Sequence, residues 1–139
     1  MASKKLRNLK IGIIGLGPRS PAQILGTKAV GNAVITAICD CDETRIEPAL
    51  KRFRENKMKR PRVYLDHREL LADPEVEAVM VPTSWNAHVP IAIDAMRAGK
   101  YVAFEVGGAC SVQQLWNLVH TSEETGIPCM MLENCCYGR

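Results

Sequence analysis

The sequence predicts an α/β protein: an open, doubly wound parallel sheet of about six strands with helices on both faces. Three observations predict it. Short apolar runs of strand length alternate along the whole chain with segments of helical periodicity. The first run, Leu9–Ile14, passes directly into the glycine turn Gly15-Leu16-Gly17-Pro18-Arg19-Ser20, and Pro21 then suits the first turn of a helix. The second run, Ala33–Cys39, ends on the acid Asp40, about 20 residues beyond the turn.

Each element has its own reason. Leu9-Lys10-Ile11-Gly12-Ile13-Ile14 is apolar enough for a strand covered on both faces. Ser20 is expected to cap the helix over 21–30, which would turn Ala22, Leu25, Gly26 and Ala29 to the sheet. Gly31-Asn32 ends it, and the second strand follows. Ile46, Ala49, Leu50 and Phe53 space a second helix, with Pro48 in its first turn or at a kink. Residues 62–65 read as a short third strand. Asp66 and Glu69 are spaced as a capping box for a helix over 66–72, and Asp73-Pro74 is a turn. A fourth strand over 76–81 precedes a helix over 87–98 that buries Val89, Ala92, Ile93 and Met96 and stops at Gly99. Residues 101–106 form the fifth strand. Ser111 and Gln114 open the last helix, with Val112, Leu115, Trp116 and Val119 expected to face inward, and 127–132 is the sixth strand.

Composition narrows the class. A chain of 139 residues is one domain in size, with 47% hydrophobic and 24% charged residues, as in an ordinary globule. A net charge of +3 argues for no nucleic-acid partner, and the basic cluster over 51–62, broken by Phe53 and Glu55, reads as a solvated helix face. The six cysteines contain no C-x-x-C and no metal-type spacing with His67, His88 or His120, so no metal is expected. The opening residues run straight into the first strand, and no apolar run approaches the ~20 residues of a membrane span. The expectation is a reduced, cytoplasmic protein without a membrane partner.

In a sheet of this kind, ligands bind beyond the carboxyl ends of the strands. The glycine turn therefore reads as a dinucleotide site on a Rossmann-type fold. Gly15 permits the tight turn, and Gly17, beside Pro18, leaves no Cβ in the way of a pyrophosphate. Ser20 and the helix start offer donors, and Arg19 either reaches the pyrophosphate or stays solvated. Asp40 is suited to the adenosine ribose hydroxyls and would repel a 2′-phosphate, which selects NAD. Asp42 can cap the next helix, and Arg45 reads as a surface charge. After the fourth strand come Pro82, Thr83, Trp85, Asn86 and His88; after the fifth, Glu105; after the sixth, Asn134 and Tyr137. His88 serves either as a structural histidine or as a cofactor contact. No residue is assigned to catalysis.

Two stretches carry a resemblance: Val81-Pro82-Thr83 with Asn86 and His88, and Ala95-Met96-Arg97-Ala98-Gly99-Lys100-Tyr101-Val102-Ala103-Phe104-Glu105. With the glycine turn and Asp40, they resemble the N-terminal domain of the Gfo/Idh/MocA oxidoreductases. The resemblance implies an NAD(P)-binding Rossmann domain over 1–139, NAD(H) as partner, and a sugar or polyol substrate held by a second domain of open antiparallel sheet. That domain is absent, so the chain reads as a fragment without turnover of its own; homo-oligomerisation stays open. One departure matters. The family usually carries Glu-Lys-Pro after the fifth strand, its lysine near the hydride-transfer site, and this chain has Glu105-Val106-Gly107. Here it is similar to the family's α-N-acetylgalactosaminidase branch, whose members hold NAD⁺ throughout turnover and oxidise the sugar transiently. A sugar or polyol dehydrogenase, an NAD⁺-retaining glycosidase and a non-catalytic nucleotide sensor are the three readings.

Overall fold

A computed structural model describes residues 7–133 and follows the alternating plan. β1 (Leu9–Ile14), α1 (Ser20–Val30) and β2 (Ala33–Cys39) are followed by a 3₁₀ turn (Glu43–Arg45) and α2 (Ile46–Glu55). Then come β3 (Arg62–Tyr64), α3 (His67–Ala72), β4 (Ala78–Val81), α4 (Trp85–Arg97), β5 (Tyr101–Glu105), α5 (Val112–Thr125) and β6 (Cys129–Leu132). All neighbouring strands pair in parallel, in the order β3-β2-β1-β4-β5-β6. The chain winds outward from β1 to β3 and returns to lay β4 on the other side of β1. The carboxyl ends of β1 and β4 therefore flank the switch point, where a doubly wound sheet leaves a crevice.

Strand residues alternate between two buried layers, as a period of two demands. Ile13 and Ile38 pack with Ile24, Leu50 and Phe53 on the face of α1 and α2. Ile14 and Cys39 pack with Leu70, Val89, Met96 and Phe104 on the face of α3 and α4. Pro48 falls in the first turn of α2, and Asp42 caps the preceding 3₁₀ turn by accepting from the Thr44 N–H. Asp66 likewise caps α3 through the Arg68 N–H at 2.8 Å.

Three local expectations need correction. Ser20 is not the cap of α1: Arg19 holds that position without a side-chain bond, and the Ser20 hydroxyl donates to Gly17 O at 2.9 Å. The buried stripe of α1 is Ser20, Gln23, Ile24 and Thr27, while Ala22, Leu25, Gly26 and Ala29 face outward. Both stripes have helical spacing, and the one with polar members wins because those members find partners: Thr27 Oγ1 donates to Gln23 O, and Gln23 to Glu105. In α5, Val112, Leu115, Trp116 and Val119 are exposed, and Leu118 and Thr121 are buried. The sheet ends at β6, so α5 packs mainly on α4 and has little sheet beneath its remaining faces.

The Asp73 turn is a polar knot. Its carboxylate, almost wholly buried, accepts from Arg62 at 2.8 Å, from the Tyr64 hydroxyl at 3.0 Å and from the Glu75 N–H at 2.9 Å. Lys100 Nζ donates to the carbonyls of Asp73 and Val76 at 3.0 and 2.7 Å, tying in the start of β5. Asp73→Ala strands three donors at once, and urea denaturation should show a loss of about 2–3 kcal/mol.

His88 is fully buried in α4, with its ring 5.6 Å from that of Phe104. Its Nε2 lies 3.1 Å from Thr83 O; a carbonyl only accepts, so Nε2 carries the hydrogen. Nδ1 is then a bare acceptor, buried without a partner among the described residues. Burial pushes the imidazole below its ordinary value of 6.5, outweighing the Thr83 bond and the charge of Glu105, which act upward. Below pH 6.5 the unfolded chain takes up a proton that the folded chain refuses, so stability falls as pH drops through this range. Urea midpoints at several pH values should show that slope in the native chain and a flatter one in His88→Asn.

Candidate functional site

The glycine turn is held from both sides. The Gly15 N–H donates to Cys39 O at 2.8 Å, coupling the ends of β1 and β2. Gly15 has φ +101°, and a Cβ there would stand 2.8 Å from Thr83 Cγ2 and 3.1 Å from the Thr83 nitrogen. Only glycine fits both the backbone angle and the approach of the β4 loop. At Gly17 a Cβ would meet only Arg45 Nη1, at 3.7 Å, so its bare side opens outward. Arg19 supplies no side-chain cap to α1; the Ser20 N–H donates to Gly17 O at 3.1 Å, and Pro21 carries no N–H.

Asp40 follows β2 and is buried. Its Oδ2 accepts from the Leu16 N–H at 2.7 Å and its Oδ1 from the Asp42 N–H at 2.9 Å. A carboxylate offers about four lone-pair sites, so two remain beside these main-chain bonds. Arg45 Nη1 stands 3.7 Å from Asp40, and its Nε 3.2 Å from Asp42.

A cleft of about 680 Å³ runs over these residues. It is lined by Asp40, Cys41, Arg45 and residues 65–68 at the start of α3, by Gly15, Gly17 and Pro18 of the glycine turn, and by Pro82, Thr83, Ser84 and Ala87 after β4. Thus Gly15, Gly17, Pro18, Asp40, Pro82 and Thr83, chosen from sequence, meet in one cleft. Arg45 and residues 65–68 were missed as lining. Residues 65–68 reach the rim because β3 lies next to β2, a neighbour relation that only the folded sheet shows.

The other candidates surround the cleft without lining it. Ser20 is buried against Gly17 O, and His88 lies under the Thr83 carbonyl. Asn86 is exposed, its Oδ1 accepting from Ser84 Oγ at 2.7 Å. Arg19 turns to Glu105, at 3.2 Å. Glu105 is buried at the end of β5 and also accepts from Gln23 Nε2 at 2.9 Å and from the Val106 N–H at 3.3 Å. Burial pushes its carboxyl up, but the Gln23 and Arg19 bonds, the Arg19 charge and the Val106 N–H together hold it below the ordinary range. Gln23, which nothing in the motif marked, is therefore part of the surroundings of the site. Asn134 and Tyr137 fall outside the described residues.

Trp85 lies across the glycines after β5. A Cβ on Gly107 would come within 2.3 Å of Trp85 Cδ1 and 2.4 Å of Nε1, and Gly107 has φ +115°. Proline, locked near φ −65°, cannot occupy this position. The departure from Glu-Lys-Pro is therefore one of backbone shape as well as of side chain.

Among the described residues, no group of three or more His, Cys, Asp or Glu side chains is placed to hold a metal ion, and no helix is long and apolar enough to cross a membrane. The thiols of Cys39, Cys41, Cys110 and Cys129 are free. Burial, reinforced by the Asp40 charge, pushes Cys39 up to about 12, and burial alone takes Cys129 to about 11.

The cleft brings together a bare glycine face, a helix start without a side-chain cap and a buried acid at the end of β2. Known proteins agree. Residues 9–133 match the sequence profile described as "Oxidoreductase family, NAD-binding Rossmann fold" (GFO_IDH_MocA). The alpha-N-acetylgalactosaminidase of Shewanella oneidensis is 33% identical over 143 residues, covering 100% of this chain and 31% of that protein. Glycosyl hydrolase family 109 protein 2 of Shewanella sp. (strain ANA-3) is 39% identical over 139 residues, covering 97% and 30%. Among solved structures, an oxidoreductase from Agrobacterium radiobacter in complex with NAD⁺, L-tartaric acid and magnesium superposes with a TM-score of 0.82. It is 28% identical, over 92% of this chain and 36% of that one. The chain spans about a third or less of the length of the curated relatives it matches. Cleft, topology and similarity converge on one assignment: the chain belongs to the Gfo/Idh/MocA oxidoreductase family, as its NAD-binding Rossmann domain.

Proposed function

We propose that the intact protein passes a hydride from a sugar or polyol carbon to NAD⁺, with this chain as its cofactor-binding domain. The observation that carries the reading is the cleft at the switch point, where the Gly15–Gly17 turn and the main-chain-held Asp40 face one space. In this reading Gly15, Gly17 and Pro18 seat the pyrophosphate at the start of α1, and the free lone pairs of Asp40 take the ribose hydroxyls. Pro82 and Thr83 floor the nicotinamide half, with Trp85, Asn86, His88 and Glu105 around it. When bound, NAD⁺ supplies the hydride acceptor; the chain binds it, orients it and keeps a carboxylate, Glu105, buried nearby. Substrate and most acid–base groups are assigned to the rest of the protein, so the 139-residue chain is expected to show no turnover. A reducing, cytoplasmic setting is part of this reading.

A second reading, in which the oxidation is transient and the enzyme is an NAD⁺-retaining glycosidase, has a specific support. Val106 replaces the lysine, and the Gly107 backbone cannot be that of Glu-Lys-Pro. Relatives named as alpha-N-acetylgalactosaminidase and glycosyl hydrolase family 109 point the same way.

Two experiments test these readings. Calorimetric titration of the chain should give NAD(H) at least about tenfold tighter binding than NADP(H), or ~1.4 kcal/mol, because Asp40 meets a 2′-phosphate with like charge. Asp40→Ala should narrow the gap by removing the like charge; equal or tighter NADP(H) binding by the native chain would remove Asp40 from this role. For the intact protein, the first reading expects stoichiometric NADH from free sugars or polyols and no aryl alcohol from aryl N-acetylgalactosaminides. Release of aryl alcohol without added acceptor and with no net NADH would overturn it and establish the NAD⁺-retaining glycosidase.

A further inference from the structure

We propose that Arg19 is a shared cation: it clamps Glu105 in the cofactor-free chain and passes to the pyrophosphate when NAD(H) fills the cleft, while Gln23 keeps the Glu105 carboxylate in place. The inference rests on the NAD(H) reading above and assigns Arg19 and Gln23 as positioning residues for a buried acid.

The geometry sets up the exchange. Arg19 belongs to the glycine turn, next to Pro18 and two residues from Gly17, both of which line the cleft. Its side chain is 49% exposed and that of Glu105 11%, so the cation is free to swing and the acid is not. Arg19 Nη2 and Gln23 Nε2 converge on the same oxygen, Glu105 Oε1, at 3.2 and 2.9 Å. Gln23 is itself buried, and donating to Glu105 leaves its own Oε1 without a partner among the described residues. The carboxylate charge therefore fixes the orientation of the amide.

The competition has a direction. An ion pair with a half-exposed arginine is weak. A pyrophosphate carries two negative charges and presents paired oxygens that match the guanidinium fork, so it takes Arg19 in preference to one carboxylate. Gln23 carries no charge and lies one turn further along α1, so it stays where it is.

The consequence falls on Glu105. The groups around it among the described residues are Arg19 from the glycine turn, Gln23 from α1, the Val106 N–H after β5, and His88 from α4, whose buried ring stays neutral at pH 7. On β6 its register partner is Leu132, with Glu133 next in sequence. Arg19 is the one permanent cation among these groups. Once it leaves, burial acts against the ionised carboxylate with neutral donors in opposition, and the phosphates add negative charge; the reduced cofactor, unlike NAD⁺, brings no nicotinamide cation to offset this. Cofactor binding should then draw Glu105 toward a readiness to hold a proton beside the cofactor.

The test is carbon NMR of the 139-residue chain labelled at glutamate Cδ, with Glu105 assigned through Glu105→Gln. Its titration is followed without cofactor and with saturating NADH, whose nicotinamide ring is uncharged. Saturating NADH should move the midpoint of Glu105 upward by about 1 unit or more, the low end of what an adjacent opposite charge commands. Arg19→Met, which keeps the stem, should show the raised midpoint already without NADH, little further change on adding it, and weaker NADH binding. Gln23→Leu should raise the midpoint in both states without weakening NADH binding. An unchanged Glu105 midpoint in a native chain that binds NADH overturns the exchange and leaves the cofactor reading standing. Full NADH affinity in Arg19→Met overturns it as well. Absence of NADH binding by the folded native chain overturns both.

Discussion

The missing Cβ of Gly15 is the constraint on which the site depends. A side chain there would stand 2.8 Å from Thr83, so the end of β1 and the loop after β4 close up only because the position is bare. From that contact the rest is fastened outward. The Gly15 N–H takes the carbonyl of Cys39, which sets the end of β2 beside the turn. The next amide, Leu16 N–H, takes Asp40 and fixes the acid at the rim. On the far side, the buried ring of His88 holds the Thr83 carbonyl from below. The cleft is thus framed by hydrogen bonds across three strand ends, and its shape follows from the sheet rather than from loop length.

The two acids near this cleft are held by different kinds of donor. Asp40 is gripped by two main-chain amides, which cannot leave without unmaking the turn. Glu105 is gripped chiefly by side chains, one of them a half-exposed arginine. A carboxylate fixed by the backbone is suited to discriminating between ligands, because its charge and place are constant. A carboxylate fixed by movable side chains can change its state when those side chains are recruited elsewhere. The fold therefore places a backbone-held acid after β2 and a side-chain-held one at the end of β5.

Much of this was legible in the sequence, and the misses have physical causes. The strands, their order of appearance and the glycine turn could be read because apolar runs and turn residues are local signals. The face of α1 could not be. Ala22, Leu25, Gly26 and Ala29 recur at the same spacing as Ser20, Gln23, Ile24 and Thr27, and only the partners offered to Gln23 and Thr27 by distant elements decide between them. The exposed apolar side of α5 has a similar origin: periodicity marks a face but does not say whether the sheet extends beneath it. Arg45, expected as a surface charge, is indeed half exposed, yet it stands over Gly17 and beside Asp40 because β2 and the glycine turn meet in space. Asp73, expected as a turn residue, gathers donors from β3 and from the turn before β4, a convergence with no sequence period at all.

The segment after β5 shows how one substitution can be embedded in its neighbours. Exchanging a lysine for Val106 alone would leave the surrounding backbone free to keep the shape of Glu-Lys-Pro. Here the next residue has φ +115°, a value closed to proline and strained for any side chain, and the Trp85 indole occupies the space where a Cβ would stand. Valine, glycine and tryptophan therefore form one arrangement: the ring needs the bare glycine, and the glycine conformation forbids the proline. Restoring a lysine at 106 would not restore the backbone that presents it, because that backbone is barred by Trp85, on a different element. Val106 also leaves Glu105 as the ionisable side chain of this triplet, and its charge is tied through Arg19 to the glycine turn. The end of β5 is thus coupled to that turn by an ion pair, and the departure from the family pattern is a rebuilt corner of the structure rather than an isolated loss.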